Sequence, residues 1–268
     1  MKILVPTDFS DNAENALGFA IAIVNRLGGS ITLYHVYKVG SSAAETFKSK
    51  LGEIIQEDKR KALQEVYDAN IDKLEQGSMD IALARGDSIN LIVDRAATNK
   101  YNLICLGSTG ESDLPDFLFG STTLGVVRHA KTPILAVPKE AKPHPLENIV
   151  LAVDGEGIDQ PHLLDNLVAL AKSRDARVLI YHHAEEDSSN ELHPSIAKAL
   201  HGVDYEYHVL VPETDDISES IKAFVNEQKA DLLCLIRRKR GFISRMFKEN
   251  VTHDALFDIH IPLLIFKD

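Results

Sequence analysis

Positive charge is in short supply in this chain of 268 residues, where 29 Lys and Arg face 40 Asp and Glu for a formal net charge of −11. A surface of that sign repels phosphate backbones and anionic lipid alike, which argues against a nucleic-acid binder or a membrane-surface protein. Long apolar runs are missing too. Segments such as 3–6 and 232–236 fall far short of the ~20 residues of a membrane helix. The chain starts Met1-Lys2-Ile3 and moves straight into what reads as a strand, without an h-region, so the expected location is the cytoplasm. Cysteine is almost absent. Cys105 and Cys234 each sit in an apolar run, Leu-Ile-Cys-Leu and Leu-Leu-Cys-Leu, where a small buried side chain suits a central strand.

Several chemical signatures are lacking in the same way. No H-x3-H helix pattern, C-x2-C pair or D-x-[DN]-x-[DN]-G loop supports a structural metal. The nucleophile elbow G-x-S-x-G is absent, and neither Ser108 nor Ser121 has an evident base nearby in sequence. The adjacent His182 and His183 would face opposite sides of a strand and cannot chelate together. His35 and His129 read as structural or exposed residues rather than general bases. Neither of the commoner phosphate fingerprints occurs: no G-x-G-x-x-G follows the first strand and no G-x4-G-K-[ST] appears anywhere.

What is present is a repeat. Lys2-Ile3-Leu4-Val5-Pro6-Thr7-Asp8 recurs as Asn148-Ile149-Val150-Leu151-Ala152-Val153-Asp154, and Ile31-Thr32-Leu33-Tyr34-His35-Val36 as Val178-Leu179-Ile180-Tyr181-His182-His183. Tyr101–Leu106 matches Ala230–Leu235, and Thr132–Val137 matches Ile261–Phe266, in the same order. Residues 139–147, polar and interrupted by Pro143 and Pro145, have linker composition. Two domains are therefore expected, 1–140 and 147–268, each long enough to bury a core without disulfides or metals. Short apolar runs alternate with segments of helical period, the pattern of a parallel sheet with crossover helices. Strands are predicted near 2–6, 30–37, 79–84, 102–107 and 133–138, then near 148–153, 177–183, 203–211, 231–236 and 262–266. Helices are predicted over 11–27, 46–75 and from Asp87 onward in the first half, with a shorter second helix, 191–200, in the second.

In open α/β sheets, ligands settle beyond the carboxyl ends of strands where the strand order reverses. At such an end stands Gly107-Ser108-Thr109-Gly110, then nine residues, then Gly120-Ser121-Thr122 opening an apolar helix: G-x2-G-x9-G-S. Glycine after a strand admits ligand atoms to the backbone, and a helix N-terminus offers unpaired N–H groups and a partial positive charge to phosphate. The loop suits a polyphosphate. The first strand ends in Pro6-Thr7-Asp8-Phe9-Ser10, where Asp8 could accept hydrogen bonds from ribose hydroxyls or an adenine amino group, or could cap the following helix.

Together with Leu33-Tyr34-His35-Val36 and Thr132-Pro133-Ile134-Leu135, these motifs resemble the universal stress protein family, and the duplicated plan resembles its tandem members. The resemblance implies an α/β fold of two doubly wound five-stranded parallel sheets, order 3-2-1-4-5, arranged as an internal pseudo-dimer, with the last strands of the two domains paired. Many members bind ATP. Carried over by position, it implies Asp8 near the ribose, Pro6, Thr7 and the backbone of Val36 around the adenine, and Gly107, Ser108, Gly110, Gly120, Ser121 and Thr122 around ribose and phosphates. The second half departs from the pattern. Ile236, Lys239, Glu249 and Asn250 stand where Gly107, Gly110, Gly120 and Ser121 do, so no ATP is expected there. Asp154 reads as a cap or turn residue, and Arg237-Arg238-Lys239-Arg240 as a solvated loop or an anion site. Three functions compete: an ATP-binding regulatory protein of the stress response, loaded in its first domain only; a slow ATPase or nucleotide transferase, with Asp8, Asp113 or Asp116 holding Mg2+ on the phosphates; and a scaffold with incidental nucleotide. Residues 39–45 would form a lid or a plain loop.

Overall fold

The computed structural model describes residues 1–38, 45–108, 120–183, 191–211, 217–238 and 260–268, with backbone alone for 45–51. In the first half, strands β1 (Lys2–Pro6), β2 (Ser30–Tyr37), β3 (Ser78–Arg85), β4 (Leu103–Gly107) and β5 (Ile134–Val137) alternate with helices α1 (Asp11–Leu27), α2 (Glu45–Asn70), α3 (Ser88–Thr98) and α4 (Ser121–His129). The second half repeats the plan. It contains β6 (Asn148–Val153), α5 (Asp165–Arg174), β7 (Arg177–His183), α6 (Pro194–Ala199), β8 (Tyr205–Leu210), α7 (Ile217–Glu227), β9 (Leu232–Arg237) and β10 (Leu263–Lys267). The segment 39–44, most of the lid-or-loop stretch, lies outside the described residues.

Hydrogen bonds join all ten strands into one sheet of order β3-β2-β1-β4-β5-β10-β9-β6-β7-β8, so each half has the order 3-2-1-4-5. Pairing is parallel within each half and antiparallel at the junction, where Leu263, Leu264 and Ile265 lie opposite Ala136, Leu135 and Ile134. That junction is the internal pseudo-dimer. Its six residues are all buried. Strands covered on both faces have no need for polar alternation, which is why β1, β4, β6 and β9 read as nearly continuous apolar runs. One side of the sheet packs α1 and α5 through Leu17, Val24, Leu164 and Leu167. The other packs α3, α4 and α7 through Ile92, Val126, Ile221 and Phe224. Cys105 and Cys234 lie in central strands, fully buried, with their thiols pushed well above the usual range by burial.

Two helix ends differ from the periodicity. The long helix expected to reach residue 75 stops at Asn70 and continues as a tighter turn over Ile71–Lys73. The buried Asn70 side chain donates to the Val66 carbonyl at 2.9 Å, an alternative to continuing the backbone ladder. In the second half α6 begins at Pro194, whose missing N–H and fixed φ suit a first helical position, with His193 as its N-cap.

Because β5 and β10 run in opposite directions, the carboxyl ends of the first-half strands face one end of the molecule and those of the second half face the other. The two crevices therefore lie at opposite ends of one sheet.

Candidate functional site

The first βα turn is built by hydrogen bonds that tie Thr7 to Phe9 and to β2, and Asp8 to Ser10. Thr7 N–H donates to the Tyr34 carbonyl at 2.9 Å, and Thr7 Oγ1 accepts from Phe9 N–H at 3.0 Å. Ser10 is the N-cap of α1, its Oγ accepting from Ala13 N–H at 3.2 Å. The cap is therefore Ser10 and not Asp8. Asp8 Oδ1 in turn accepts from Ser10 N–H at 3.1 Å and from Ser10 Oγ–H at 2.6 Å, which aims an exposed carboxylate along the crevice edge.

Beneath the turn sits His35, 7% exposed, whose Nδ1 donates to the Thr7 carbonyl at 2.7 Å. That bond fixes the tautomer, because a carbonyl can only accept, and leaves Nε2 buried without a partner among the described residues. Burial lowers the His35 pKa most; the Thr7 carbonyl opposes it, Lys59 adds to it, and Asp8 opposes it. His35 is thus a structural residue, and it is buried rather than exposed. Phe9 holds φ at 71°, a left-handed conformation that costs a bulky residue of order 1 kcal/mol or more. Its ring packs at a tilt of 38° on His35 with centroids 4.3 Å apart, and Lys59 Nζ lies 5.4 Å from the ring centre.

A cavity of about 540 Å3 opens at the carboxyl ends of β1, β2 and β4, and its lining includes Pro6, Thr7, Asp8, Val36, Gly107, Gly120, Ser121 and Thr122. The sequence motifs that lie about 100 residues apart in the chain thus share one space, at the switch point between β1 and β4. Ser108 is not in the lining: it is buried, its amide donates to Val137 and its carbonyl accepts from Gly120 N–H, both at 2.8 Å. Gly110, Asp113 and Asp116 lie outside the described residues.

Gly107 is needed for a reason the motif does not reveal. A Cβ there would stand 2.8 Å from the Asn12 side chain and 3.1 Å from its backbone carbon, so the strand end abuts the first turn of α1. Gly120, the N-cap of α4, has φ −65° and ψ 155° and no side-chain cap, so the first amides of α4 open toward the cavity. Thr123, one residue beyond the predicted set, lines the cavity and donates from a buried hydroxyl to the Gly107 carbonyl at 2.8 Å, clamping the helix start to the strand end. Tyr34 and Ile92 supply an apolar side wall, with the hydroxyl residue Ser88 beside them. Ser10 was legible as a helix-start serine, whereas Thr123 carries no local signal.

The corresponding strand ends of the second half carry other side chains. Strand register places Ile236 opposite Phe266 as Gly107 lies opposite Val137, so a branched side chain replaces the glycine. Arg238 inserts there, paired with Asp154 and donating to the carbonyls of Glu156 at 3.0 Å and Gly157 at 2.7 Å. Its Nε stands 3.6 Å from Asp268 Oδ2, whose carboxylate also accepts from Asp159 N–H. The side chains of Arg238 and Asp154 are only 14% and 17% exposed. Asp154 is therefore an ion-pair partner and not a helix cap, and the start of the basic run is not a solvated loop. Lys239, Arg240, Glu249 and Asn250 lie outside the described residues. Gly155, with φ 79°, takes the backbone conformation that Phe9 takes with strain in the first half.

Among the described residues no cluster of His, Cys, Asp or Glu could hold a metal ion by itself, and no helix is long and apolar enough to cross a membrane.

With this geometry in hand, a family model described as the universal stress protein family matches residues 1–138 and again 145–267. Universal stress protein MJ0531 of Methanocaldococcus jannaschii is 31% identical over 148 residues, covering 53% of this chain and 84% of that protein. Universal stress protein YxiE of Bacillus subtilis is 28% identical over 147 residues, covering 51% of this chain and 97% of that protein. A universal stress protein from Archaeoglobus fulgidus shares the fold across both halves, with a TM-score of 0.71 at 18% identity over 99% of this chain and 96% of that one.

Proposed function

Since the chain belongs to the universal stress protein family, matched over each of its halves, we propose that it is an ATP-binding regulatory protein of the stress response that takes nucleotide in its first domain alone. The observation that supports this reading is the contrast between the strand ends of the two halves: a cavity edged by Asp8 and the uncapped start of α4 in the first, and Arg238 held across the Asp154 turn among the described residues of the second.

The residues of the open crevice fit an adenine nucleotide. Its volume, about 540 Å3, falls within the ~300–1,000 Å3 of small-molecule pockets. Asp8, as an acceptor, would take ribose hydroxyls, while the Ser121 and Thr122 amides and hydroxyls would take phosphate oxygens, with the helix dipole adding attraction for anions. The apolar wall of Tyr34, Val36 and Ile92 would hold the base. Mg2+ would arrive on the phosphates, its usual mode when a protein offers one or two carboxylates at most. The lining has no lysine and no histidine hydrogen-bonded to a nucleophile, which favours binding over turnover among the described residues. A soluble, cytoplasmic protein acting through a partner is the setting this reading supposes.

A scaffold role has one observation in its favour: the β5–β10 junction is complete in protein atoms, so the pseudo-dimer needs no nucleotide to form. Photolabelling with an azido-ATP and peptide mapping separates the readings. Label confined to residues 1–138 supports first-domain binding; label in the second half, or none at millimolar nucleotide, contradicts it.

A further inference from the structure

Arg237 and Arg238 are adjacent at the end of β9, yet they do different things. Arg238 turns into its own domain and binds the turn from Asp154 to Gly157. Arg237 reaches the other domain, where its Nη2 donates to the carbonyl of Arg128 at 3.1 Å. Arg128 lies in the last turn of α4, the helix whose first residues line the open crevice.

The antiparallel junction makes this contact possible. It sets the carboxyl ends of β9 and β10 beside the amino end of β5, which is where α4 finishes before entering β5. The last four carbonyls of a helix have no partner within it, and a cation there is favourable to the helix dipole. The Arg237 guanidinium is half-buried, burial lowers its pKa, and its Nε has no hydrogen-bond partner among the described residues. Strand register puts Arg237 at the position held by Ser108 in the first half, where Ser108 closes its own loop on Gly120.

We propose that Arg237 of the second domain is a positioning residue for the first-domain nucleotide site, holding α4 by its C-terminus so that the amides of Ser121 and Thr122 meet the phosphates. This rests on the nucleotide reading above. Nine residues make α4 only ~13 Å long, so it moves as one body. Beside the packing of Val126 and Val127 into the core, three contacts set its position: the Thr123 bond to Gly107 at its start, the contact of Gly125 with Ile89 of α3 at its middle, and Arg237 at its end. The first two belong to the nucleotide domain. The third comes from a domain that has lost its own site, and it is anchored by the Arg238 ion pair next to it in the chain. The second domain is thereby a support for the first.

Calorimetric titration of the full chain with ATP and with adenosine tests this, comparing wild type with Arg237→Gln and with Arg237→Lys, which keeps the cation. The expected result is an ATP Kd raised about 3–10-fold in Arg237→Gln, within the range of long-range coupling, an intermediate value in Arg237→Lys, and an unchanged adenosine Kd. The phosphate-free ligand separates positioning of α4 from general loosening of the fold. An unchanged ratio of the two affinities in both variants overturns the inference while leaving nucleotide binding intact. Wild-type protein that binds neither ligand overturns the nucleotide reading, and this inference with it.

Discussion

Asp8 orders its turn and, in the proposed site, would also meet the ligand, and the two roles can be separated. One carboxylate oxygen orders the turn by accepting from the Ser10 N–H and hydroxyl, a role that an amide oxygen also fills. The negative charge, which also acts on the His35 ring, is the part that a ligand would meet. Asp8→Asn is expected to weaken ATP binding by about tenfold or more, the worth of a hydrogen bond to a charged group, while thermal unfolding shifts by no more than about 4 °C. Calorimetric titration and a melting curve check both halves of that statement. His35 and His182, at matching positions of the repeat, both have pKa values lowered chiefly by burial from the ordinary 6.5. The unfolded chain therefore takes up protons that the folded chain refuses. Stability contributed by the two neutral rings is complete above pH 6.5 and falls as pH drops below it toward the folded values. Denaturant unfolding at pH 7 and pH 5 should show that loss, and a His35→Gln, His182→Gln double variant should lose less. An equal slope in the double variant would contradict the assignment.

At the scale of elements, helix α1 joins the site to the core. Ser10 caps it, Asp11 and Glu14 stand in its positive first turn, and its apolar stripe runs through Ala13, Leu17, Ala20 and Val24. Ser10→Ala is expected to cost about 1–2 kcal/mol in urea unfolding, the upper part of the N-cap range, because Asp8 also loses its donor hydroxyl. Strand and helix positions were legible because the apolar period differs between the two and because Gly28 and Asp87 punctuate the chain, whereas Pro194 sets a later start for α6 than the periodicity gave. The order of strands came from likeness to a family rather than from periodicity, which does not encode neighbours. Contacts of long separation were illegible for the same reason. Nothing near Gly107 in sequence announces Asn12, and nothing near Thr123 announces its bond to Gly107. The role of Asp8 stayed open between ligand acceptor and helix cap because Asp and Ser both cap helices, and only the backbone path shows that Ser10 is the cap.

In the whole molecule the duplicated halves have diverged at their crevices while keeping one sheet. Arg238 is the clearest mark of that divergence. Removing it by Arg238→Ala leaves the Asp154 and Asp268 carboxylates without their cation, and the cost is expected at about 2–3 kcal/mol, below the full range for a buried pair because both ends keep some solvent. The Asp154→Ala, Arg238→Ala double variant should be more stable than Arg238→Ala alone, a coupling that a double-mutant cycle measures. Neither variant should gain a second nucleotide, since Ile236 still stands where the first half has Gly107.

The number of ATP molecules bound per chain tests the central claim most directly. Calorimetric titration of purified protein in ATP and Mg2+ should give one equivalent, its affinity weakened about tenfold or more in Asp8→Asn and retained in the Asp154→Ala, Arg238→Ala double variant. Two equivalents, none, or a single equivalent that survives Asp8→Asn unchanged would contradict it.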